Sequence, residues 1–231
     1  MRGIIFDFNG TLFWDSQLHL DAWKDFSAQL RGTPFSEEEM LKYMFGRTNE
    51  DIIAYAIGKK PEPELVARLA EDKEACYRKM CLKNPDEFKL APNAVEFLNY
   101  LKANNIPRTI ATMSEWSNVE FYIKEFNLGQ WFNLDKIVYS NGKIPGKPAP
   151  DIYELAAKNL GLNPADCIVI EDALSGIEAA RNAGIGKIIA IASREPVEFY
   201  EGVAGVSQII TDFNQIDKNL LSATERQQPI I

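Results

Sequence analysis

Basic charge is scarce in this 231-residue chain: 25 Lys and Arg stand against 33 Asp and Glu, a net charge of −8. That balance excludes a surface built for nucleic acid or an anionic membrane, although one well-placed lysine and a metal ion still accommodate a phosphate. Long apolar runs are missing too, so neither a signal peptide nor a membrane span is expected. Cysteine is limited to Cys76, Cys81 and Cys167, which have no metal-ligand spacing. They read as reduced structural thiols, with the cytoplasm as the expected location. No internal repeat or low-complexity tract is found. The remaining composition, 46% hydrophobic and 25% charged, is that of a globular chain able to bury one good core and a smaller second one.

The organising stretch is Ile4-Ile5-Phe6-Asp7-Phe8-Asn9-Gly10-Thr11-Leu12-Phe13. Its apolar run predicts a buried strand over residues 3–8 that presents Asp7 near its carboxyl end, with Asn9-Gly10 turning the chain away. Ligands of open α/β sheets bind outside the carboxyl ends of the strands, so an acid there is a candidate nucleophile or metal ligand.

Two textures follow. From about Asp15 to Asn84 the pattern is helical: Leu18, Ala22, Phe26 and Leu30 form a stripe, and Ser36 with Glu39 spells a capping box. A third helix starts near Thr48, and a fourth runs over residues 62–80. From Leu90 onward helices alternate with short apolar strands at residues 108–112, 136–139, 167–170, 187–191 and 208–210. This predicts an α/β fold, a Rossmann-like parallel sheet core built from residues 1–14 and 86–231, with a small α-helical cap inserted at 15–85. The segment from Ser222 onward has little to bury and is expected to fray.

Each strand of the core ends in useful chemistry. The first ends at Asp7. The second ends at Thr112, followed by Met113 and Ser114, a turn whose hydroxyl and N–H groups suit phosphate oxygens or a plain helix cap. After the third, Lys147 sits in a loop stiffened by Gly146, Pro148 and Pro150. The fourth ends in Glu171-Asp172, adjacent acids that repel unless a cation lies between them, and Mg²⁺ takes such oxygen ligands. In a parallel sheet all four face one edge. Together they supply a nucleophile, an oxyanion holder, a neutralising cation and a metal site, the parts of phosphoryl transfer.

In this order the motifs resemble those of the haloacid dehalogenase (HAD) superfamily: Asp7-Phe8-Asn9-Gly10-Thr11, then Thr112, Lys147 and Glu171-Asp172. The resemblance implies Mg²⁺ held by Asp7, the Asn9 carbonyl and Asp172, with Glu171 supporting the metal's waters. It also implies an aspartyl-phosphate on Asp7, with Thr112 and Lys147 binding the transferred group. Among its members the chain is most similar to β-phosphoglucomutase-like phosphatases. That likeness points to His19, the only histidine, and Trp23 on the first cap helix. It also points to a substrate loop carrying Gly46, Arg47 and Asn49, and to Met113 and Ser114 beside the phosphate. The implied partner is a small phosphorylated metabolite, a sugar phosphate in the first instance, turned over by a monomer or weak dimer.

Two departures matter. Those phosphatases and mutases carry a second Asp, as general acid and base, where this chain has Asn9, and an amide cannot shuttle a proton. Slow turnover, proton transfer by another group, a substitution made to trap a complex and deamidation of Asn9-Gly10 are all compatible with the sequence. The mutases also grip a second phosphate with a cap-loop Arg and a Ser-Lys-Asn run, where this chain has Asn49 and Ser114-Glu115-Trp116. Glu115 would repel that phosphate, so hydrolysis is preferred over a β-phosphoglucomutase-type mutase. A catalytically weakened phosphometabolite-binding protein is the remaining alternative.

Overall fold

A computed structural model describes residues 2–44 and 49–221. They divide into two compact units, one from the described residues of 1–14 and 89–231, the other from 15–88.

The first unit is built on a six-stranded sheet. Its strands are β1 (Gly3–Phe6), β2 (Arg108–Glu115), β3 (Val138–Ser140), β4 (Cys167–Glu171), β5 (Lys187–Ile191) and β6 (Val206–Ile210). Their order is β3-β2-β1-β4-β5-β6, and every neighbouring pair is parallel. Strand order therefore reverses at β1, the switch point at which open α/β sheets place their ligands. β1 is central because it is apolar on both faces: Ile4, Ile5 and Phe6 are fully buried, worth about 1.5–3 kcal/mol for each side chain. The helices are α5 (Ala94–Ala103), α6 (Trp116–Glu125), α7 (Asp151–Leu160) and α8 (Leu174–Asn182). α7 and α8 bury Ile152, Ala156, Ile177 and Ala180 in one cluster with Ile5, Val169 and Ala190.

Only β5 has the expected bounds: β1 stops at Phe6 rather than at residue 8, β4 runs on to Glu171, β6 starts at Val206, and β2 and β3 differ most. β2 does not stop at Thr112 but continues through Met113, Ser114 and Glu115, because Glu115 re-enters the ladder opposite Ser140 after an irregularity. β3 begins at Val138, since Leu134–Lys136 is taken up by a 3₁₀ turn in which Asn133 caps Asp135.

The second unit contains α1 (Ser16–Arg31), α2 (Glu37–Tyr43), α3 (Asn49–Ile57) and α4 (Pro63–Lys83). The α1 stripe buries Leu18, Ala22 and Phe26, and the helix stops at Gly32 in the left-handed region. Ser36 and Glu39 form the expected capping box at α2, and Arg31 reaches the Glu39 carboxylate with two nitrogens at 2.7 and 2.9 Å. Trp23, Phe26, Phe35, Met40, Ile53 and Leu69 form this unit's own core. Thr48, Gly46 and Arg47 lie outside the described residues. Among the described residues, no helix is long and apolar enough to cross a membrane.

Candidate active site

Asp7 follows β1 directly, and its N–H still donates to the Ile170 carbonyl of β4 at 3.1 Å. Because Phe6 is in register with Ile170, the next residues along, Asp7 and Glu171, stand side by side on adjacent strands. Two buried carboxylates this close require a cation. Lys147 supplies it: its ammonium donates to Asp7 Oδ1 at 2.6 Å and to Glu171 Oε1 at 3.1 Å. Burial works against that ammonium, but Asp7 and then Glu171 outweigh it and hold the Lys147 pKa well above the ordinary lysine value. The face of the Tyr153 ring lies 5.1 Å from the same nitrogen.

Asp172 completes the acidic group. Thr11 Oγ1 donates to its Oδ1 at 3.1 Å, and the Tyr200 hydroxyl donates to its backbone carbonyl at 2.6 Å. One lysine does not balance three carboxylates. Burial first, then Asp7, push the Asp172 pKa up to about 7, against the pull of Thr11 and Lys147. Glu171 is raised well above the ordinary carboxylate range by burial and by Asp7, with Lys147 opposing.

Two glycines permit this crowding. At Gly10, φ is +80° and a Cβ would collide with the Asp172 carboxylate. At Gly176, in the first turn of α8, a Cβ would collide with the Glu171 carboxylate. The acids are therefore packed directly against backbone. Asp7, Glu171 and Asp172 offer ligand oxygens within 4.8 Å of one another, and the elevated carboxyl pKa values reflect a local deficit of positive charge. Hard oxygen donors that lack a balancing charge fit a hard divalent cation such as Mg²⁺.

Asn9 is enclosed. Ser114 Oγ donates to its Oδ1 at 2.6 Å, Thr112 Oγ1 faces the same oxygen at 3.4 Å, and Asn9 Nδ2 donates to the Tyr122 hydroxyl at 2.9 Å. The Tyr122 ring stacks on Phe8 at 4.5 Å between centroids, so the aromatic packing behind the turn also fixes the amide. The Gly10 N–H, which would have to attack the Asn9 side chain for deamidation, is bound to the Phe13 carbonyl at 2.7 Å. That geometry opposes the deamidation route. Thr112 and Ser114 thus sit on one strand beside Asn9, with the Ser114 N–H donating to Thr112 Oγ1 at 3.1 Å. Met113 alternates to the other side and packs on the core.

The helical unit holds the other candidates expected from the sequence. His19 stacks on Tyr77 at 3.9 Å, its Nε2 lies 3.2 Å from Asp15 Oδ2, and its Nδ1 lies 2.8 Å from the buried Lys73 ammonium. An ammonium only donates, so Nδ1 accepts and Nε2 carries the proton toward Asp15. Trp23 is buried in the unit's core, with Lys73 Nζ 5.3 Å from its ring. Asn49 is the first residue of α3 and half-buried.

Tyr122, Tyr153 and Tyr200 are site neighbours that sequence reasoning does not find. Each lies in a helical or 3₁₀ segment. Tyr122 and Tyr200 each hydrogen-bond a residue far away in the chain, whereas the Tyr153 ring meets Lys147 in the loop just before its own helix.

A switch-point sheet whose edge gathers Asp, Lys and a Glu-Asp pair defines a class of hydrolase. A family model for haloacid dehalogenase-like hydrolases matches residues 1–184, and the chain belongs to that family. A HAD hydrolase of family IA, variant 3, from Entamoeba histolytica has the same fold, with a TM-score of 0.89 and 42% identity over 96% of this chain and 97% of that one. β-Phosphoglucomutase from Bacillus subtilis is 30% identical over 190 residues, 80% of this chain and 81% of its own. The chloroplastic 5-amino-6-(5-phospho-D-ribitylamino)uracil phosphatase of Arabidopsis thaliana is 28% identical over 224 residues. The match takes in 96% of this chain but spans only 58% of the plant protein's length.

Proposed function

We propose that the chain is a Mg²⁺-dependent phosphatase that hydrolyses a small phosphorylated metabolite of the sugar-phosphate type through an aspartyl-phosphate on Asp7. The observation that carries this reading is the Lys147 ammonium seated between Asp7 and Glu171, with Asp172 alongside. A nucleophile, a fixed positive charge and a divalent-cation donor set then share one sheet edge. The similarity to a phosphatase and a phosphomutase adds support, as does the set of three free cysteines, which suits a reducing, cytoplasmic setting.

Asp7, the Asn9 carbonyl and Asp172 would hold the metal, with Glu171 behind them. When bound, Mg²⁺ offsets the charge on the transferring phosphoryl oxygens. The Asp7 carboxylate attacks phosphorus, and the bond from phosphorus to the leaving oxygen breaks as the new Asp7–phosphorus linkage forms. Lys147 neutralises charge on the phosphoryl group and keeps Asp7 aimed. The leaving oxygen takes its proton from solvent, because Asn9 has none to give. Water then attacks phosphorus, releasing inorganic phosphate and the Asp7 carboxylate.

The test is a panel of sugar phosphates and related metabolites, assayed for phosphate release with and without Mg²⁺ and with and without glucose 1,6-bisphosphate. Phosphate release that needs Mg²⁺ and ignores the bisphosphate is expected. Isomerisation of a sugar phosphate that needs the bisphosphate would make the chain a mutase.

Metal and pH are linked through Asp172. An unfolded Asp titrates near ~3.9, whereas in the metal-free fold it titrates at about 7. Between those values the native state holds a proton that the unfolded chain has lost. Stability of the metal-free protein therefore falls as pH rises through this window, by up to about 4 kcal/mol. Mg²⁺ binds the ionised carboxylates, so it should raise the melting temperature strongly at about pH 8 and little at about pH 5. Equal shifts at both pH values would refute the site.

A further inference from the structure

The end of β2 carries a feature that the catalytic reading does not use. Trp116, the first residue of α6, is 48% exposed, and its ring leans on Tyr139 of β3 with centroids 5.1 Å apart and planes inclined at 46°. Tyr139 is half-buried, so the tryptophan is braced on the sheet. Leaving half of so large an apolar side chain in water forfeits burial energy that the brace does not recover.

Its position ties it to the site. Ser114, whose hydroxyl holds the Asn9 side chain, lies two residues before Trp116, roughly 7 Å of extended backbone. Between them is Glu115, exposed and paired through the ladder with Ser140. An anionic group approaching this spot meets a carboxylate. A neutral flat ring with N–H donors meets an aromatic face and a hydrogen-bond acceptor.

We infer that Trp116, braced by Tyr139, stacks on a planar heterocycle carried by the leaving group. The substrate is then a sugar or polyol phosphate that bears such a ring at the end remote from the phosphate, as in nucleotides and flavin phosphates. The inference rests on the phosphatase reading and narrows its substrate class. Trp116 is a specificity residue within it: the ring binds there while the phosphate is held at Asp7 and Lys147.

Equilibrium titration with riboflavin 5′-phosphate, uridine 5′-monophosphate and glycerol 3-phosphate, in Mg²⁺, tests this on the wild type, Trp116→Ala and Trp116→Phe. The expected result is that at least one ring-bearing phosphate binds the wild type about tenfold or more tightly than glycerol 3-phosphate. Trp116→Ala should abolish most of that preference, and Trp116→Phe should keep most of it. Equal affinities in the wild type, or the same loss for all three ligands in Trp116→Ala, would overturn it. Hydrolysis of p-nitrophenyl phosphate, measured alongside, separates the two readings. Turnover with no ring preference refutes the stacking site alone. A Trp116-dependent preference without turnover refutes the phosphatase reading and leaves the ring site standing.

Discussion

Asn9→Asp should raise the hydrolysis of alkyl phosphates by about 10²–10⁴-fold, the usual contribution of general acid–base catalysis. An alkoxide is a poor leaving group and needs a proton as its bond to phosphorus breaks. The position is prepared for a carboxyl group, because Ser114 and Thr112 already direct hydroxyls at Asn9 Oδ1. The Tyr122 hydroxyl, which accepts from Asn9 Nδ2, can turn and donate to a carboxylate instead. A p-nitrophenyl leaving group needs no acid, so its departure should change little. In that case the second step limits the native protein, because no base draws a proton from the attacking water. A burst of p-nitrophenol that matches the enzyme concentration is then expected from the Asn9 protein, and a smaller burst from Asn9→Asp. Measuring kcat/KM with a sugar phosphate decides the matter. If both variants hydrolyse it equally fast, Asn9 is not a deficient acid.

Asp7→Asn should cost still more, on the order of 10⁴–10⁶-fold in turnover of every phosphomonoester. The amide preserves the shape of the carboxylate but is no nucleophile, and neither neighbouring acid can take over its role at the end of β1. Both are held by other groups: Glu171 faces Lys147 and the Asp172 backbone N–H, and Asp172 faces Thr11. The fold should survive, since Lys147 retains Glu171 as its partner. A melting temperature near that of the wild type, alongside lost activity, separates a missing nucleophile from a broken site.

Much of this site is legible in the sequence because its parts are local. An apolar run ending in Asp7, a lysine between Gly146 and Pro148, and an acid pair after Ile168-Val169-Ile170 each announce a strand end or a shaped loop. A parallel sheet then brings them together. What is not legible depends on partners far along the chain. Tyr122 meets Asn9 across 113 residues and Tyr200 meets Asp172 across 28, and nothing beside either tyrosine in the sequence signals where its hydroxyl will bond. The extension of β2 is hidden for a similar reason, since it depends on Glu115 pairing with Ser140. The motif around Trp23 suggests a residue that faces substrate, yet the structure buries it in the helical unit's core beneath Lys73.

In the proposed function, Asp7, set against Lys147, Glu171 and Asp172, performs Mg²⁺-dependent phosphoryl transfer. The most direct test is the rate of p-nitrophenol release from p-nitrophenyl phosphate by the wild type and Asp7→Asn, each with Mg²⁺ and with a chelator. The predicted result is release by the wild type with Mg²⁺ and essentially none in the other three cases. The same negligible rate from both proteins in Mg²⁺ would contradict it and favour a phosphometabolite-binding protein.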